Sequence, residues 1–399
     1  MNVTYLLCKP YLCPILAITL FISVVFPVFA KIEPLKVNIT YINQVHEHDY
    51  YTNPLLVAPA DSGVAGIELG IEDSNTTGKF LGQQFSFLTQ TIPAAHSSSP
   101  IRWSEYKIEN QLLLVDLDSE TLQALIAHNN SLEQPALIIN IANRDNTLRQ
   151  RICSANLFHT TPSHAQITDA LGQWLLSKRL NNILLINGDT PGDLAWINSF
   201  KRTAKRYKIN ISAEKKWTFD TDLRRTVSQD IPLFTQTARP YDVVVVADMY
   251  QQFGQYVPYN TYYPRPVIGT AGLVADTWHP SIEQWGAKQL QNRFKTLHQR
   301  YMEHADFDAY VAVRAIAYAV QQIKGVNIEA LATFMRSEQF QLAAYKGRKL
   351  TFRDFNGQLR MPIELTHPLG LVARAPQTGF MHPVSELDTL GFDRREVCQ

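Results

Sequence analysis

The chain has 399 residues, with 37 lysine and arginine against 36 aspartate and glutamate, and 45% of it is hydrophobic. This charge balance excludes a strongly basic protein and gives no reason to expect a nucleic acid or an acidic surface as partner. The composition is that of an ordinary globular protein, and the length suits two domains better than one.

The start of the chain has the layout of a cleavable secretory signal. A single cation, Lys9, precedes an apolar run over residues 11–26, and Ala30 ends the segment. We expect cleavage after Ala30, which removes one of 37 basic residues and leaves a formal charge of zero. The alternative is a membrane anchor, but Pro14 and Pro27 interrupt the run of roughly 18 apolar residues that a span needs. The sequence therefore predicts a soluble, exported protein.

Cysteine usage agrees with export. Cys8 and Cys13 lie in the predicted signal, and only Cys153 and Cys398 remain in the mature chain. Two thiols in an oxidising compartment indicate one disulfide between them. The alternative is a pair of buried free thiols.

The first half of the mature chain alternates predicted strands and helices. Residues 36–42 alternate apolar and polar side chains, which is typical of a strand, and Val64, Ile67 and Ile71 have helical spacing. The apolar run 135–142 fits a buried parallel strand that ends in a polar loop. We predict strands at 36–42, 84–92, 112–115 and 135–142, and helices at 61–75 and 119–128.

The same alternation continues after residue 163. Ser163 is placed to cap a helix, and a strand follows that helix directly. Strands separated by helices of this length indicate a parallel sheet with right-handed crossovers. We predict helices at 165–178, 193–207 and 224–235, and strands at 183–186, 209–217, 242–247 and 267–269.

The remainder is mainly helical. Helices are predicted at 282–301, 308–324 and 327–336, and we expect them to pack on the first sheet because they are too many for the second. Trp285, spaced with Ile282 and Leu290, is predicted to be a core residue. The last part of the chain, residues 349–375, is predicted to form a hairpin with a tight turn around Asn356 and Gly357.

Several segments resemble a known family, the periplasmic solute-binding proteins of ABC importers, of the branched-chain amino acid receptor type. The resemblance covers almost the whole mature chain. It is closest to a subgroup described as the substrate-binding component of a system for alcohol dehydrogenase dependent on pyrroloquinoline quinone (PQQ). The matching segments are GIELGIEDSN (66–75), CSANLFHTTPS (153–163), AEKKWTF (213–219), PLFT (232–235), YDVVVVAD (241–248), EQWGAKQLQNRF (283–294), DAYVAVRA (308–315), GQLRMP (357–362) and ELDTLGFD (386–393).

The resemblance implies an α/β fold of two lobes, each a parallel sheet flanked by helices, joined by three crossings and closing on a ligand by hinge motion. It implies a periplasmic monomer that works with ABC permease subunits in the inner membrane, and possible contact with a PQQ-dependent dehydrogenase. The expected organisation is a signal peptide at 1–30, a first lobe at 31–158 plus 276–345, and a second lobe at 159–275 plus 346–399.

Ligands of open α/β sheets bind beyond the carboxyl ends of the strands, and this rule selects the candidate ligand-binding residues. Arg144 is the preferred anchor for an anionic group, because a guanidinium matches a carboxylate with two parallel hydrogen bonds. Its alternative role is an ion pair with Asp145. Thr160 and Thr161 resemble hydroxyl positions that hold a carboxylate in amino acid receptors, and their alternative role, with Ser163, is to cap the next helix. The full set is His46, Tyr50, Asn143, Arg144, Thr160, Thr161, Ser163, Asp248, Tyr250, Thr270 and Trp278.

PQQ is planar and carries three carboxylates, so a site for it needs aromatic faces and at least two cations. Arg144, Arg149 and Arg151 are close in sequence, and several aromatic residues follow predicted strands. The pair His46 and His48 follows the first strand and departs from the subgroup's pattern, and too few other ligands stand nearby for a structural zinc site. We expect no resident metal or cofactor.

The sequence has no nucleophile elbow, phosphate loop or metalloprotease helix, so an enzyme is not expected. The first functional hypothesis is capture of PQQ, or of a product of alcohol oxidation, for import. The alternatives are a branched-chain or related amino acid as ligand, and a sensor or cofactor-delivery protein without a transport role.

Overall fold

The computed structural model describes residues 33–45, 57–94, 101–152, 154–217 and 226–397. The chain from Pro34 onward forms one compact unit. The predicted signal, His46, Tyr50, Cys153 and Cys398 lie outside the described residues, so the expectations about them stay predictions. None of the described helices combines the length and the apolar composition needed to span a bilayer.

The first sheet is parallel and has both faces covered by helices. Val37 and Ile39 pack with the helix over residues 64–81, whereas Ile42 and Val115 pack on the opposite face. The elements are β1 Leu35–Gln44, α1 Val64–Leu81, β2 Gln83–Ile92, β3 Leu112–Asp116, α2 Ser119–Asn130, β4 Leu137–Asn140, α3 Thr147–Gln150 and β5 Leu157–His159. The order of the described strands in the sheet is β2-β1-β3-β4-β5.

The next part of the chain builds the second sheet. One of its interior strands contains the run of four valines at 243–246, which is buried because helices and loops cover both faces. The elements are α4 His164–Ser177, β6 Asn182–Asn187, α5 Pro191–Tyr207, β7 Asn210–Lys216, α6 Val227–Phe234, β8 Val243–Ala247, β9 Val267–Gly269 and β10 Leu273–Asp276.

The helices that follow return to the first sheet, as predicted. Leu290, Phe307 and Leu331 share one apolar core with Ile39. A small sheet adjoins them, in which Thr351 pairs with Arg360; the predicted hairpin is therefore confirmed, but its connection, 353–358, is longer than a tight turn. The elements are α7 Ala287–His298, α8 His304–Ile323, α9 Ile328–Arg336, β11 Leu342–Ala343, β12 Lys349–Phe352 and β13 Leu359–Arg360.

Two last strands, β14 Ile363–His367 and β15 Gly370–Ala375, complete the second sheet. Its described order is β15-β14-β10-β9-β8-β6-β7, parallel from β10 to β7 and antiparallel at β14 and β15. The chain thus passes between the two sheets three times: after β5, after β10 and before β14. This arrangement is the predicted α/β fold of two lobes.

The placement of the third crossing differs from the expected lobe boundary. Residues 346–399 were assigned to the second lobe, but Leu350, Phe352 and Leu359 lie in the core of the first. This packing favours a crossing just before β14. The other lobe boundaries stay predictions.

The prediction that Trp285 is a core residue is wrong. Its side chain is 48% exposed, because the helix begins only at Ala287 and Trp285 itself adopts a left-handed backbone conformation with φ of 53°. The guanidinium of Arg374 lies 4.3 Å from the centre of its ring. Trp285 therefore contacts a strand of the second sheet instead of filling the first core.

Close packing of α1 against α8 depends on glycine. A Cβ atom added at Gly66 would lie 1.9 Å from the carbonyl oxygen of Asp306 in α8, and one at Gly70 would lie 2.8 Å from Val313. The segment that the sequence resemblance singled out is therefore a helix contact in the first lobe.

We predict that Gly66→Ala lowers the free energy of unfolding by about 1 to 3 kcal/mol, because the two helix backbones must separate. The control is Gly325→Ala, where an added Cβ meets nothing within 4 Å and the change is expected within about 0.5 kcal/mol. Urea denaturation of both variants measures the difference. Equal stabilities would show that the α1–α8 contact is not tight.

Candidate ligand-binding site

The carboxyl ends of β4 and β10, one from each sheet, are joined by an ion pair. Arg144, in the loop after β4, donates from Nη2 to Oδ1 of Asp276, the last residue of β10, at 2.7 Å. The same Nη2 lies 3.1 Å from Nδ1 of His304 at the start of α8. Although burial opposes ionisation, the Arg144 guanidinium holds the pKa of Asp276 below its ordinary value. The predicted alternative partner, Asp145, is not the one that Arg144 uses.

A buried carboxyl group lies beside this ion pair. Asp308 in α8 is fully buried, and neither of its oxygens has a hydrogen-bond partner of regular geometry among the described residues. Burial raises its pKa to about 8, although Arg144 and the hydroxyls of Thr277 and Thr161 act in the opposite direction. We call Arg144, Asp276, His304 and Asp308 the junction cluster, because it lies where the two lobes meet.

Only part of the Arg144 guanidinium is used within the protein. Nη2 makes both hydrogen bonds, while Nη1 and Nε have no partner among the described residues. The side chain is 15% exposed, so it is accessible at the edge of the cluster. This geometry leaves Arg144 with donors for an anionic group.

The crossing after β5 contains the predicted hydroxyl residues. Ser163 caps α4: its Oγ accepts from the backbone N–H of Gln166 at 3.2 Å in a capping box, which is the alternative role foreseen for it. Thr160 and Thr161 are buried, and Thr160 Oγ1 has no hydrogen-bond partner in the described chain. The hydroxyls therefore lie inside the crossing and not on its open surface.

The expected cluster of cations does not form. Arg149 is 1% exposed and donates to the carbonyl oxygens of Asn143, Asp145 and Thr161, while Arg151 is exposed. Burial lowers the pKa of Arg149 to about 9. Arg149 thus supports the loop that carries Arg144, and four of its five N–H donors are already used within the protein.

Asn143 is also used by the loop itself. Its side-chain Nδ2 donates to the backbone carbonyl oxygen of Leu117 at 2.9 Å, and its side-chain Oδ1 accepts from the backbone N–H of Asp145 at 2.9 Å. These bonds fix the loop before Arg144, so Asn143 has a positioning role here.

Three candidates from the second lobe have structural partners. The Asp248 carboxylate accepts backbone N–H groups from Gln252, Phe253 and Gly254 at 2.6 to 2.9 Å, and Thr270 Oγ1 accepts from the N–H of Asp248. Asp248 and Thr270 line a groove of about 1110 Å³ in this lobe. Tyr250, which lies three residues after the end of β8 at Ala247, is half-buried.

The prediction that Trp278 offers an aromatic face to a ligand is wrong. Its indole is 3% exposed and stacks on Phe307, with ring centres 4.5 Å apart, and its Nε1 donates to Gln291. The chain passes back into the first lobe at this residue, so Trp278 fills the first core instead of facing the gap.

The crossings also hold a buried ion pair that the sequence reading missed. Lys346 Nζ lies 3.0 Å from Glu364 Oε1, and both side chains are completely buried. Arg374 Nε donates to both oxygens of Glu364, at 3.0 and 2.8 Å. Burial lowers the pKa of Lys346, while the charge of Glu364 opposes that shift.

Sequence reasoning also missed Asp276, His304 and Asp308. The sequence contained a signal for Asp308. It shares one helix face with the apolar residues Val311 and Ala315, and this spacing predicts a carboxyl group on a buried face of the helix. The strand β10, which ends at Asp276, was not predicted because it follows β9 after only three residues, 270–272, without the intervening helix that separates the predicted strands.

Comparisons with solved structures identify the fold. A periplasmic binding protein from Burkholderia mallei superposes with a TM-score of 0.63 at 13% identity, over 91% of this chain and 98% of that one. An ABC transporter substrate-binding protein from Sphaerobacter thermophilus gives 0.67 at 14% identity, over 90% and 100%. A substrate-binding protein from Desulfitobacterium hafniense in complex with leucine gives 0.61 at 14% identity, over 84% and 99%.

The sequence itself gives no such match: no family model and no curated protein matches it. The likeness therefore concerns the fold, and it extends over 84 to 91% of this chain. The chain has the two-lobed α/β fold of the type 1 periplasmic binding proteins.

Proposed function

We propose that this protein is the periplasmic solute-binding component of an ABC import system and binds a small carboxylate, an amino acid or a related acid, between its lobes. The observation that carries the proposal is Arg144, which lies where the two sheets meet and keeps Nη1 and Nε without a protein partner among the described residues. The fold supports it, because the matched structures are described as a periplasmic binding protein and as ABC transporter substrate-binding proteins.

The charge of the site favours an amino acid over PQQ. PQQ carries three carboxylates, but of Arg144 and Arg149 only Arg144 is accessible at the edge of the site, since Arg149 is 1% exposed and donates to three carbonyl oxygens. An amino acid brings a single carboxylate, and leucine occupies one matched structure. The link to alcohol oxidation, and with it a dehydrogenase partner, has no support beyond the sequence resemblance.

Function follows from closure. A solute that contacts both lobes stabilises the closed form by the contacts it makes only there, and a permease can then distinguish the loaded protein from the empty one. His46 and Tyr50 stay predicted contributors from the loop after β1. Thr160 and Thr161 fit better as buried parts of the moving crossing.

The experiment is calorimetry on the mature protein, residues 31–399, with leucine and with PQQ as separate probes. We expect saturable leucine binding that Arg144→Gln weakens about ten- to a hundredfold, because a charge-assisted hydrogen bond contributes about 1.5 to 3 kcal/mol. The control is Arg102→Gln, which removes an exposed guanidinium paired with Glu105 on the surface.

Arg144→Gln also leaves Asp276 without its partner, so the double variant Arg144→Gln/Asp276→Asn is measured alongside. It removes the orphaned charge and should still bind leucine weakly. Unchanged leucine affinity in both variants would remove Arg144 from the site, and binding of PQQ without binding of leucine would restore the first hypothesis.

A further inference from the structure

The end of the chain makes a further link between the two lobes. After β15 the chain leaves the second sheet, and its residues 386–397, which we call the strap, lie against both lobes. The side chains of Leu387, Leu390, Phe392 and Val397 in the strap are buried. The strap is held by α4 and α5 of the second lobe and by the β12–β13 hairpin of the first, and none of these elements carries a residue of the junction cluster.

The first lobe holds the strap by its backbone. Arg353, which follows β12, is 1% exposed, and its guanidinium donates to the carbonyl oxygens of Leu387, Leu390 and Phe392 at 2.8 to 3.2 Å. A buried guanidinium that donates to three carbonyl groups fixes the path of the backbone, because its N–H groups point in fixed directions. The strap is therefore attached to the first lobe in one defined position.

A carboxylate of the strap adds an ion pair to the same lobe. Asp388 accepts from Nε of Arg353 at 2.8 Å, and from Nε and Nη2 of Arg360 in β13 at 2.7 and 2.9 Å. Although burial opposes ionisation, the guanidinium groups of Arg360 and Arg353 hold the pKa of Asp388 below its ordinary value. Because one guanidinium donates two parallel hydrogen bonds, Asp388 is a strong charged anchor of the strap on the first lobe.

The second lobe holds the residue between two of these backbone anchors. The N–H of Gly391 donates to Oδ2 of Asp169 in α4 at 2.8 Å. The carbonyl oxygen of Gly391 accepts from Arg202 at 2.8 Å and from Arg206 at 2.9 Å, both in α5. Asp169 is itself fully buried and pairs with both arginines. Both polar groups of the Gly391 backbone are thus bound to the second lobe.

A small apolar core also contains residues from both lobes. Phe392 and Val397 of the strap pack with Ala165 of α4, and Phe355 from the β12–β13 hairpin packs against the same group. The guanidinium of Arg202 lies 4.6 Å from the centre of the Phe392 ring. Apolar contacts and hydrogen bonds therefore join the lobes at the same place.

The alternation of these contacts restricts how the lobes move. Leu390 and Phe392 are bound to the first lobe and Gly391 between them to the second, although consecutive Cα atoms are only about 3.8 Å apart. The lobes cannot separate here without breaking hydrogen bonds to charged groups, which are the strong ones in proteins. A hinge motion that keeps these bonds must have its axis close to the strap.

From this arrangement we propose that the strap fastens the two lobes to each other and limits how far the solute-free protein opens. The proposal rests on the opening and closing proposed for the cleft. A protein that cannot open widely keeps more of its molecules close to the binding-competent form, and the apparent affinity for a solute rises with that fraction. The strap thus tunes affinity without contacting the solute.

Two substitutions loosen the strap and leave each lobe intact. Asp388→Asn removes the charge on the side of the first lobe, where Arg353 keeps its three carbonyl partners. Arg202→Gln removes a donor to the strap on the side of the second lobe, while Arg206 still pairs with Asp169 and joins α4 to α5. The double variant Asp388→Asn/Arg202→Gln weakens both attachments.

Small-angle X-ray scattering of the solute-free mature protein tests the proposal, with a reductant present so that the expected disulfide at Cys398 does not tether the strap. We expect the double variant to have a larger radius of gyration than wild type, and each single variant to show a smaller increase. Peptides covering 386–397 should exchange their amide hydrogens about ten- to a hundredfold faster in the double variant, because charge-assisted hydrogen bonds are lost. Cooperative urea denaturation shows that the variants are folded.

The matched control is Lys201→Gln, next to Arg202 on α5, which breaks an ion pair with Glu214 of the same lobe. It should leave the radius of gyration and the exchange of 386–397 unchanged. The proposal is overturned if the double variant keeps the wild-type radius of gyration, or if its strap peptides exchange no faster than those of wild type. The comparison contains no solute, so a failure of the strap is distinguished from a failure of leucine to bind.

Discussion

Glu364→Gln is expected to lower the free energy of unfolding by about 3 to 5 kcal/mol, because it removes one partner of a fully buried ion pair. Lys346 then keeps its charge without a counter-ion, and Arg374 loses the carboxylate to which its Nε donates. The Lys346 Nζ lies 5.6 Å from the ring centre of Trp278 and 4.8 Å from that of Phe307, so its surroundings are largely apolar. The cost of an unpaired buried charge dominates over the lost attraction.

Urea denaturation measures this effect, and the chain offers a matched control. Glu283→Gln breaks an ion pair with Lys288 of similar length, 3.2 Å, but both side chains are more than half exposed, so the expected loss is below about 1 kcal/mol. The double variant Lys346→Met/Glu364→Leu removes both charges and should recover most of the stability. A small loss in Glu364→Gln, equal to that in Glu283→Gln, would mean that water reaches the pair.

Asp308 is expected to make the protein less stable as the pH rises from about 4 to about 8. In the folded protein burial raises its pKa to about 8, whereas in the unfolded chain the pKa is near 4. The folded state therefore binds the proton more tightly. The stability that this bound proton contributes is fully present below the pKa of Asp308 in the unfolded chain. It is lost as the pH rises through the pKa of Asp308 in the folded protein. Over that range the loss is on the order of 5 kcal/mol by linkage.

The variant Asp308→Asn isolates this contribution, because the amide has nearly the shape of the protonated acid and no charge at any pH. We expect wild type and variant to differ little at pH 4, and the variant to be the more stable one at pH 8. Denaturation at both pH values gives the two differences. Parallel stability curves would show that Asp308 does not titrate between them.

The fold was predictable to the extent that it rests on periodicity. The valine run at 243–246 and the alternating residues of β1 gave strands in the right places, and the helical residues of α8 gave a helix. The first and last residues of helices and strands were harder to predict. The sequence predicted a helix at 61–75, yet α1 extends from Val64 to Leu81 and ends at Gly82, whose φ of 64° is the left-handed conformation that closes a helix.

The site was harder to predict than the fold, because its partners are distant in sequence. Arg144 was found from its position after a strand, but its partner Asp276 is 132 residues away and is the last residue of a strand that was not predicted. Trp278 looked like a cleft residue for the same positional reason, although the chain had already turned into the first core. A rule about strand ends locates an edge of the sheet, and only the tertiary contacts decide which side chains are free.

The central claim, that two lobes close on a small solute, is tested most directly by small-angle X-ray scattering of the mature protein with and without saturating leucine, or PQQ if only PQQ binds in calorimetry. The account predicts a smaller radius of gyration with the bound solute, and no such change in Arg144→Gln at the same solute concentration. An unchanged radius of gyration in the wild-type protein with solute bound would contradict it.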